Sequence, residues 1–228
     1  MNDAAISATG AIDAVQVNEV PGNEAPVNPV PTDQEHSALD LFRADAYALL
    51  GSLLAQAPTD ELLNWLQSIE LIDDPQSSMR EAWSVLQMAA GRADPDQVAD
   101  EYHQLFIGIG RGELLPYGSW YLTGFLMEKP LVELRNDLDA LGIERDPEVR
   151  EPEDHIAALC QVMAMLVSPA QNDGDQGPAQ QFFERHLATW WRRFSQDLQH
   201  SKTAHFYSAV GRFAELFLEQ EALLFSRR

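Results

Sequence analysis

The sequence predicts an all-α fold. Apolar residues recur at three- and four-residue spacing along most of the chain. Pro, Gly, Asp, Ser and Thr punctuate those runs at cap positions, and no stretch sustains the period-two alternation of a half-buried strand. The 228 residues, 45% hydrophobic and 9% aromatic, suffice for one domain or two small lobes around a sizeable core.

Residues 1–36 stand apart. They hold Asp3, Asp13, Glu19, Glu24, Asp33 and Glu35 but no Lys, Arg or aromatic residue, and Pro21, Pro26, Pro29 and Pro31 punctuate the second half. Such a segment buries too little apolar surface to offset its chain entropy, so a disordered acidic tail is expected. Ser37 or Asp40 is the expected cap of a first helix with Leu39, Phe42, Ala46, Leu49, Leu50 and Leu53 on its apolar face. Pro58 and Thr59 end it and start a second, where Leu62, Leu63, Leu66 and Ile69 recur. Asp73-Asp74-Pro75 breaks the pattern, and a third helix carries Met79, Trp83, Leu86 and Ala90 as far as Gly91. Asp94-Pro95 opens a fourth with Val98, Tyr102, Leu105 and Phe106 on one face, since the N–H that proline lacks is unpaired at a helix start anyway.

Gly108, Gly110, Gly112, Pro116 and Gly118 then interrupt the helices, in a break holding Ile107, Ile109, Leu114, Leu115, Tyr117, Trp120 and Tyr121, too apolar for an ordinary surface loop. Leu131, Leu134, Leu138 and Leu141 restore the helical spacing up to Gly142, and residues 143–151 read as a polar linker or hinge. Pro152 is expected to open a helix with Ile156, Leu159, Met163 and Leu166 on one face. After a polar loop from Pro169 to Pro178, one long helix is expected to carry Phe182, Leu187, Trp190, Trp191, Phe194 and Leu198. Ser201–Thr203 interrupts it, and Phe206, Val210, Phe213 and Phe217 stripe the last helix.

Charge narrows the function. Fifteen Lys and Arg against thirty-six Asp and Glu give a formal charge of −21. That repels phosphate backbones and anionic membrane surfaces, so neither nucleic acid nor membrane is an expected partner. A basic, arginine-bearing peptide is favoured, although the acidity also reads simply as a solubility device. The single Cys160, in an apolar run, excludes an intramolecular disulfide and a multi-cysteine metal site and reads as a core residue. No apolar run is long enough to span a bilayer and no secretory pattern opens the chain, so a cytoplasmic protein is expected.

The search for catalytic patterns returns little. There is no HExxH pair, no CxxC and no P-loop, and the six histidines show no ligand spacing, so neither a metal nor another cofactor is expected. Ser119, His155 and Asp154 contain the residue types of a triad, but adjacent Asp and His on a helix point about 100° apart, which argues against an orienting bond between them. An enzyme is therefore not expected; a nucleotide hydrolase is the residual catalytic alternative.

Two segments remain unusual. The first runs from Tyr102, Leu105 and Phe106 to Pro116, Tyr117, Ser119, Trp120 and Tyr121; the second is Glu151, Pro152, Glu153, Asp154 and His155. Each has a structural explanation. Tyr102, Leu105 and Phe106 at helical spacing suit a core. Pro116–Ser119 suits a turn in which Gly118 takes an unusual backbone angle and Ser119 caps the next helix. Carboxylates around Pro152 suit a helix start.

The combination resembles the TorD/DmsD family of chaperones for the maturation of molybdenum-containing redox enzymes. There a Tyr-x-x-Leu-Phe element precedes a Pro-aromatic-x-Ser-x-Tyr element, and Glu-Pro-x-Asp-His follows about thirty residues later. Tyr102–Phe106, Pro116–Tyr121 and Glu151–His155 look like these three elements, and the resemblance spans roughly residues 38–225. The family's usual Arg before Leu-Phe is Gln104 here, and its Gly-Pro after the phenylalanine is Gly108-Ile109. The acidic extension lies outside the family core.

The resemblance implies an all-helical fold of two subdomains, about 37–145 and 151–228, joined at a hinge that carries Glu-Pro-x-Asp-His. It implies a molybdoenzyme catalytic subunit and its twin-arginine signal peptide as partners, held in the cytoplasm until cofactor insertion, and a monomer or homodimer. Some members bind guanine nucleotide weakly; no motif for it stands in this sequence. The wording around residues 117–130 and 151–165 looks most like members associated with formate dehydrogenase. An Arg pair followed by an apolar helix calls for an apolar groove rimmed by carboxylates. Tyr117, Trp120, Tyr121 and Phe106 are the expected wall; Glu151, Asp154 and Glu128 are expected to face the arginines, with His155 tuning the pocket near neutral pH. The alternative is a permanent helical scaffolding subunit of a redox-enzyme complex.

Overall fold

The computed structural model describes residues 33–71, 77–172 and 175–227. The expected disordered tail lies, for residues 1–32, outside the described residues, as does the Asp73-Asp74-Pro75 break. The described chain is helical: α1 (Asp33–Ala55), α2 (Asp60–Ser68), α3 (Ser78–Ala90), α4 (Pro95–Tyr102), a π-helical turn (His103–Ile107), α5 (Gly118–Thr123), α6 (Lys129–Ala140), α7 (Ile156–Val167), a four-residue α8 (Pro169–Asn172), α9 (Gly177–His186), α10 (Trp191–His200) and α11 (Phe206–Ser226). Among the described residues the one piece of β pairing is an isolated antiparallel bridge between Tyr117 and His155.

Helix starts follow local chemistry where a side chain reaches its own backbone. Thr59, Ser77 and Asp94 each accept a hydrogen bond from the N–H three residues on, satisfying donors with no partner in the helix. α1 departs from this, beginning at Asp33, ahead of both Ser37 and Asp40. Asp40 does not cap because its carboxylate is committed to Arg43 and Gln176. α7 starts at Ile156 rather than Pro152, with the His155 ring accepting the Ala157 N–H.

The expected long helix through Phe182 and Leu198 is two helices, α9 and α10. Ala188 N–H turns back to Phe183 O, and the Trp190 indole donates to His186 O at 2.7 Å. The break lets the neighbours Trp190 and Trp191 both enter the core, which successive residues of one uninterrupted amphipathic helix, about 100° apart, do not readily do.

α7 is apolar on nearly every side and packs along α1 and against α9, while α11 packs against α10 and α3 and touches α1. Helices that precede and follow the expected hinge at 143–151 contribute residues to this core. Cys160 is fully buried in it, its thiol pushed up to about 12 by desolvation. One charged cluster crosses the core. Arg43 donates through Nε and Nη2 to both oxygens of Glu221, and through Nη1 to Asp40 and Gln176. With Arg43 2% and Glu221 1% exposed, the bidentate geometry offsets a large desolvation cost and ties α1 to α11. None of the described helices is long and apolar enough to cross a membrane.

Candidate functional site

The site begins where α4 gives way to the π turn. Gly108 N–H reaches back five residues to His103 O at 2.7 Å, closing the wider turn. The chain then doubles back, with Leu114 N–H donating to Leu105 O. Two glycines permit this. A Cβ on Gly108, whose φ is +59°, would lie 2.2 Å from Arg111 O, and one on Gly112 would lie 2.5 Å from Phe106 C. Gly108 and Gly112 therefore make a tight return of the chain.

Tyr102, Leu105 and Phe106 have different surroundings. Leu105 is fully buried. Tyr102 and Phe106 stand half-buried with ring centroids 5.1 Å apart, and the Tyr102 hydroxyl donates to Ala55 O at 2.7 Å.

The second and third motif segments pair with each other. Gly118 N–H donates to Asp154 O, and Ile156 N–H donates to the carbonyl of buried Pro116. This bridge sets Tyr117 edge-on to His155, with centroids 5.1 Å apart, and the Tyr117 hydroxyl donates to Glu151 at 2.5 Å. Burial and that carboxylate together push the Tyr117 phenol well above its ordinary range.

Asp154 is 3% exposed. Its Oδ2 accepts from both Ser119 N–H and Ser119 Oγ, and Ser119 Oγ in turn accepts from Met127 N–H at 3.2 Å. Ser119 is thus not the expected N-cap; it lies inside α5, and Asp154 caps that helix from 35 residues away. Gly118 takes no unusual backbone angle; it is small because a Cβ would press on the Trp190 indole, 3.3 Å from Nε1. The expectation that Asp154 faces a partner's arginine gives way to an internal role, because both bonds turn its carboxylate into the fold.

The expected tuning by His155 near neutral pH is also corrected. The ring is 7% exposed, and desolvation brings it down to about 4 despite Glu151 and Asp154 nearby. Its Nδ1 accepts the Ala157 N–H, which requires the neutral ring. Ser119 bonds to Asp154 and not to His155, so no triad forms.

These elements enclose an apolar cavity of about 700 Å³. Tyr102, Phe106, Ile107 and Tyr117 form one side, and Ala157, Ala158, Val162 and Met165 of α7 another, with Leu138, Ile143 and Val149 completing the lining. Glu144, Asp146, Glu151, Glu153 and Arg145 also line it. Glu153 is held by Arg135 at 2.8 Å; burial opposes its ionisation, but the Arg135 hydrogen bond outweighs this and keeps the carboxyl below its usual range.

Of the expected wall, Phe106 and Tyr117 face the cavity while Trp120 and Tyr121 do not. Tyr121 stacks on Trp190 and donates to Asp197, and Trp120 lies under the Arg111 guanidinium. Helical spacing does not produce this split, since residues three and four apart share a face; Tyr117 precedes α5 in extended backbone paired with His155, while Tyr121 is drawn to Trp190, Phe194 and Asp197. Glu128 is exposed ahead of α6 and takes no part in the cavity. Pro152 is a half-buried turn residue whose carbonyl accepts from His155 N–H. Sequence reasoning missed Ile143, Arg145 and Val149, which were read as linker; two β-branched apolar residues within a polar stretch were the available signal.

The described chain is thus an all-helical scaffold whose apolar cavity is lined in part by carboxylates and in part by residues of the three motif segments. The model of the family described as "Nitrate reductase delta subunit" matches residues 72–196. The chaperone protein TorD of Vibrio cholerae serotype O1 is 29% identical over 206 residues, covering 82% of this chain and 94% of its own. TorD of Aliivibrio salmonicida is 28% identical over 204 residues, covering 81% and 95%. The fold resembles that of an Archaeoglobus fulgidus protein described as a redox enzyme maturation protein, with a TM-score of 0.50 and 17% identity over 84% of this chain and 98% of the other. The chain belongs to the nitrate reductase delta subunit family, the family of the TorD chaperones.

Proposed function

We propose that this chain is a cytoplasmic chaperone of redox-enzyme maturation. In this reading it holds a cationic, apolar segment of its client in the 700 Å³ cavity. The observation that carries it is the pairing of apolar walls with the carboxylates of Glu144, Asp146, Glu151 and Glu153 in one cavity. Apolar side chains gain by burial, while an arginine gains a planar, bidentate partner. The twin-arginine signal of a molybdenum enzyme has this composition, and a formate dehydrogenase is the client favoured by the resemblance. The chaperone adds no catalysis and no cofactor of its own, and the molybdenum stays with the client.

Calorimetric titration with a synthetic twin-arginine peptide tests the reading. Glu151→Gln keeps an acceptor for Tyr117 and removes the charge. The expected loss is about two- to fivefold in affinity, as for a partly exposed charge pair, shrinking as salt rises. Absence of peptide binding, or affinity equal in both proteins at low salt, overturns it. The family's description as a subunit favours one second reading, a permanent scaffold of the enzyme complex. Co-purification at fixed stoichiometry with no free pool would select that reading.

A further inference from the structure

The carboxylates of the cavity are not idle in the free protein. Glu151 accepts the Tyr117 hydroxyl. Glu153 accepts two bonds from Arg135 and faces a second guanidinium, Arg145, whose Nε lies 3.6 Å from its other oxygen. Arg145 Nη1 also donates to Glu151 O at 3.3 Å. Arg145 itself lines the cavity.

The two guanidiniums differ in how firmly they are held. Arg135 makes bonds of 3.0 and 2.8 Å to Glu153. Arg145 makes one long ion pair and one long backbone bond; length and not exposure separates the two, since the Arg145 side chain is 40% exposed and that of Arg135 51%. Contacts of this length are weak and readily exchanged. Arg145 is carried on the segment between α6 and α7, which lets it leave without disturbing a helix.

We propose that Arg145 is a built-in competitor for this site: its guanidinium faces the one oxygen of Glu153 that Arg135 does not hold and donates to the Glu151 carbonyl, and a partner's cationic side chain must displace it. The inference rests on reading the cavity as a receptor for a cationic apolar segment. Arg145 then sets affinity without touching the partner's apolar part. Only the fraction of molecules with Arg145 swung away is competent, so the observed dissociation constant is the intrinsic one divided by that fraction. The same factor applies to every cationic partner. Arg145 therefore raises the threshold for all of them and leaves the preference between Arg and Lys peptides unchanged.

The experiment compares wild type, Arg145→Ala and Arg150→Ala by calorimetry. Two synthetic peptides are used, with an Arg pair or a Lys pair ahead of the same apolar run. Arg150 stands on the same segment with no side-chain hydrogen bond or ion pair among the described residues, so its removal changes the local charge equally without freeing a carboxylate. Arg145→Ala is expected to tighten binding of both peptides by one common factor of about two to five, the range of a partly exposed ion pair. Arg150→Ala is expected to tighten it by less than about 1.5-fold, the size of a screened field effect. Binding by wild type with no gain in Arg145→Ala overturns the competitor while leaving the receptor reading intact. Equal gains in the two variants overturn it as well, because they mark a general field effect. No binding of either peptide by any of the three proteins overturns the receptor reading and the competitor together.

Discussion

Replacing Asp154 by Asn separates an internal strut from a solvent-facing helix start. Asp154 Oδ2 accepts two hydrogen bonds from Ser119, and Oδ1 is buried with no hydrogen-bond partner. The amide oxygen of Asn can replace Oδ2, but both bonds lose their charge. Bonds to a charged group contribute about 1.5–3 kcal/mol each against about 0.5–1.5 for neutral ones, so the pair loses about 2 kcal/mol. The new NH2 lands where Oδ1 sits, with no acceptor at hand, and adds about 1 kcal/mol or more. The total is about 3 kcal/mol. In a protein of this size each kcal/mol moves Tm by about 2–4 °C, so a drop of about 6–12 °C is expected. A carboxylate serving only the dipole of an exposed helix would cost about 0.3–1 kcal/mol. Thermal and urea unfolding of Asp154→Asn, Ser119→Ala and the double variant provide the assay. The double-mutant cycle is expected to give a coupling of about 1–3 kcal/mol, because both substitutions break the same bond. A drop under about 3 °C, or strict additivity, would refute the strut.

Two further perturbations test neighbouring features. His155 titrates near about 4 in the fold against 6.5 when free, so the unfolded chain binds the extra proton between those values; the stability from keeping the ring neutral is complete above about pH 6.5 and lost as pH falls towards 4, by about 3 kcal/mol in all, and His155→Gln should flatten that part of the stability–pH curve measured by urea unfolding. Glu221→Gln leaves the buried Arg43 with Asp40 as its remaining carboxylate, which should lower stability by about 3 kcal/mol; an unchanged melt for Glu221→Gln would show that the buried pair contributes nothing.

How far the sequence reached depends on how local the cause was. Thr59, Ser77 and Asp94 cap helices through bonds to the third residue on, so their cause lies within four residues of chain, and Gly142 ends α6 with a φ of +69° that only the backbone decides. The three motif segments were legible as a set because their residue types are unusual together. Their geometry was not. Asp154 and Ser119 meet across 35 residues, and that contact turns a presumed receptor carboxylate into a buried strut. The neutral state of His155 follows from burial beneath Tyr117, which no spacing rule encodes.

The sequence by itself determined the helical class, the helix starts at Thr59 and Asp94, the acidic character and the presence of the family's motif. Those features are set by periodicity, composition and side chains that bond to their own turn of backbone. Tertiary structure alone decided that Phe106 and Tyr117 face the cavity while Tyr121 packs on Trp190 and Phe194 and Trp120 lies under Arg111, that α9 and α10 separate so both tryptophans are buried, and that Arg145 sits among the site's carboxylates. The physical reason is that a helix pattern records which face is apolar, but the partner of that face, and whether a carboxylate meets solvent, an arginine or a buried serine, depends on elements brought together from distant parts of the chain.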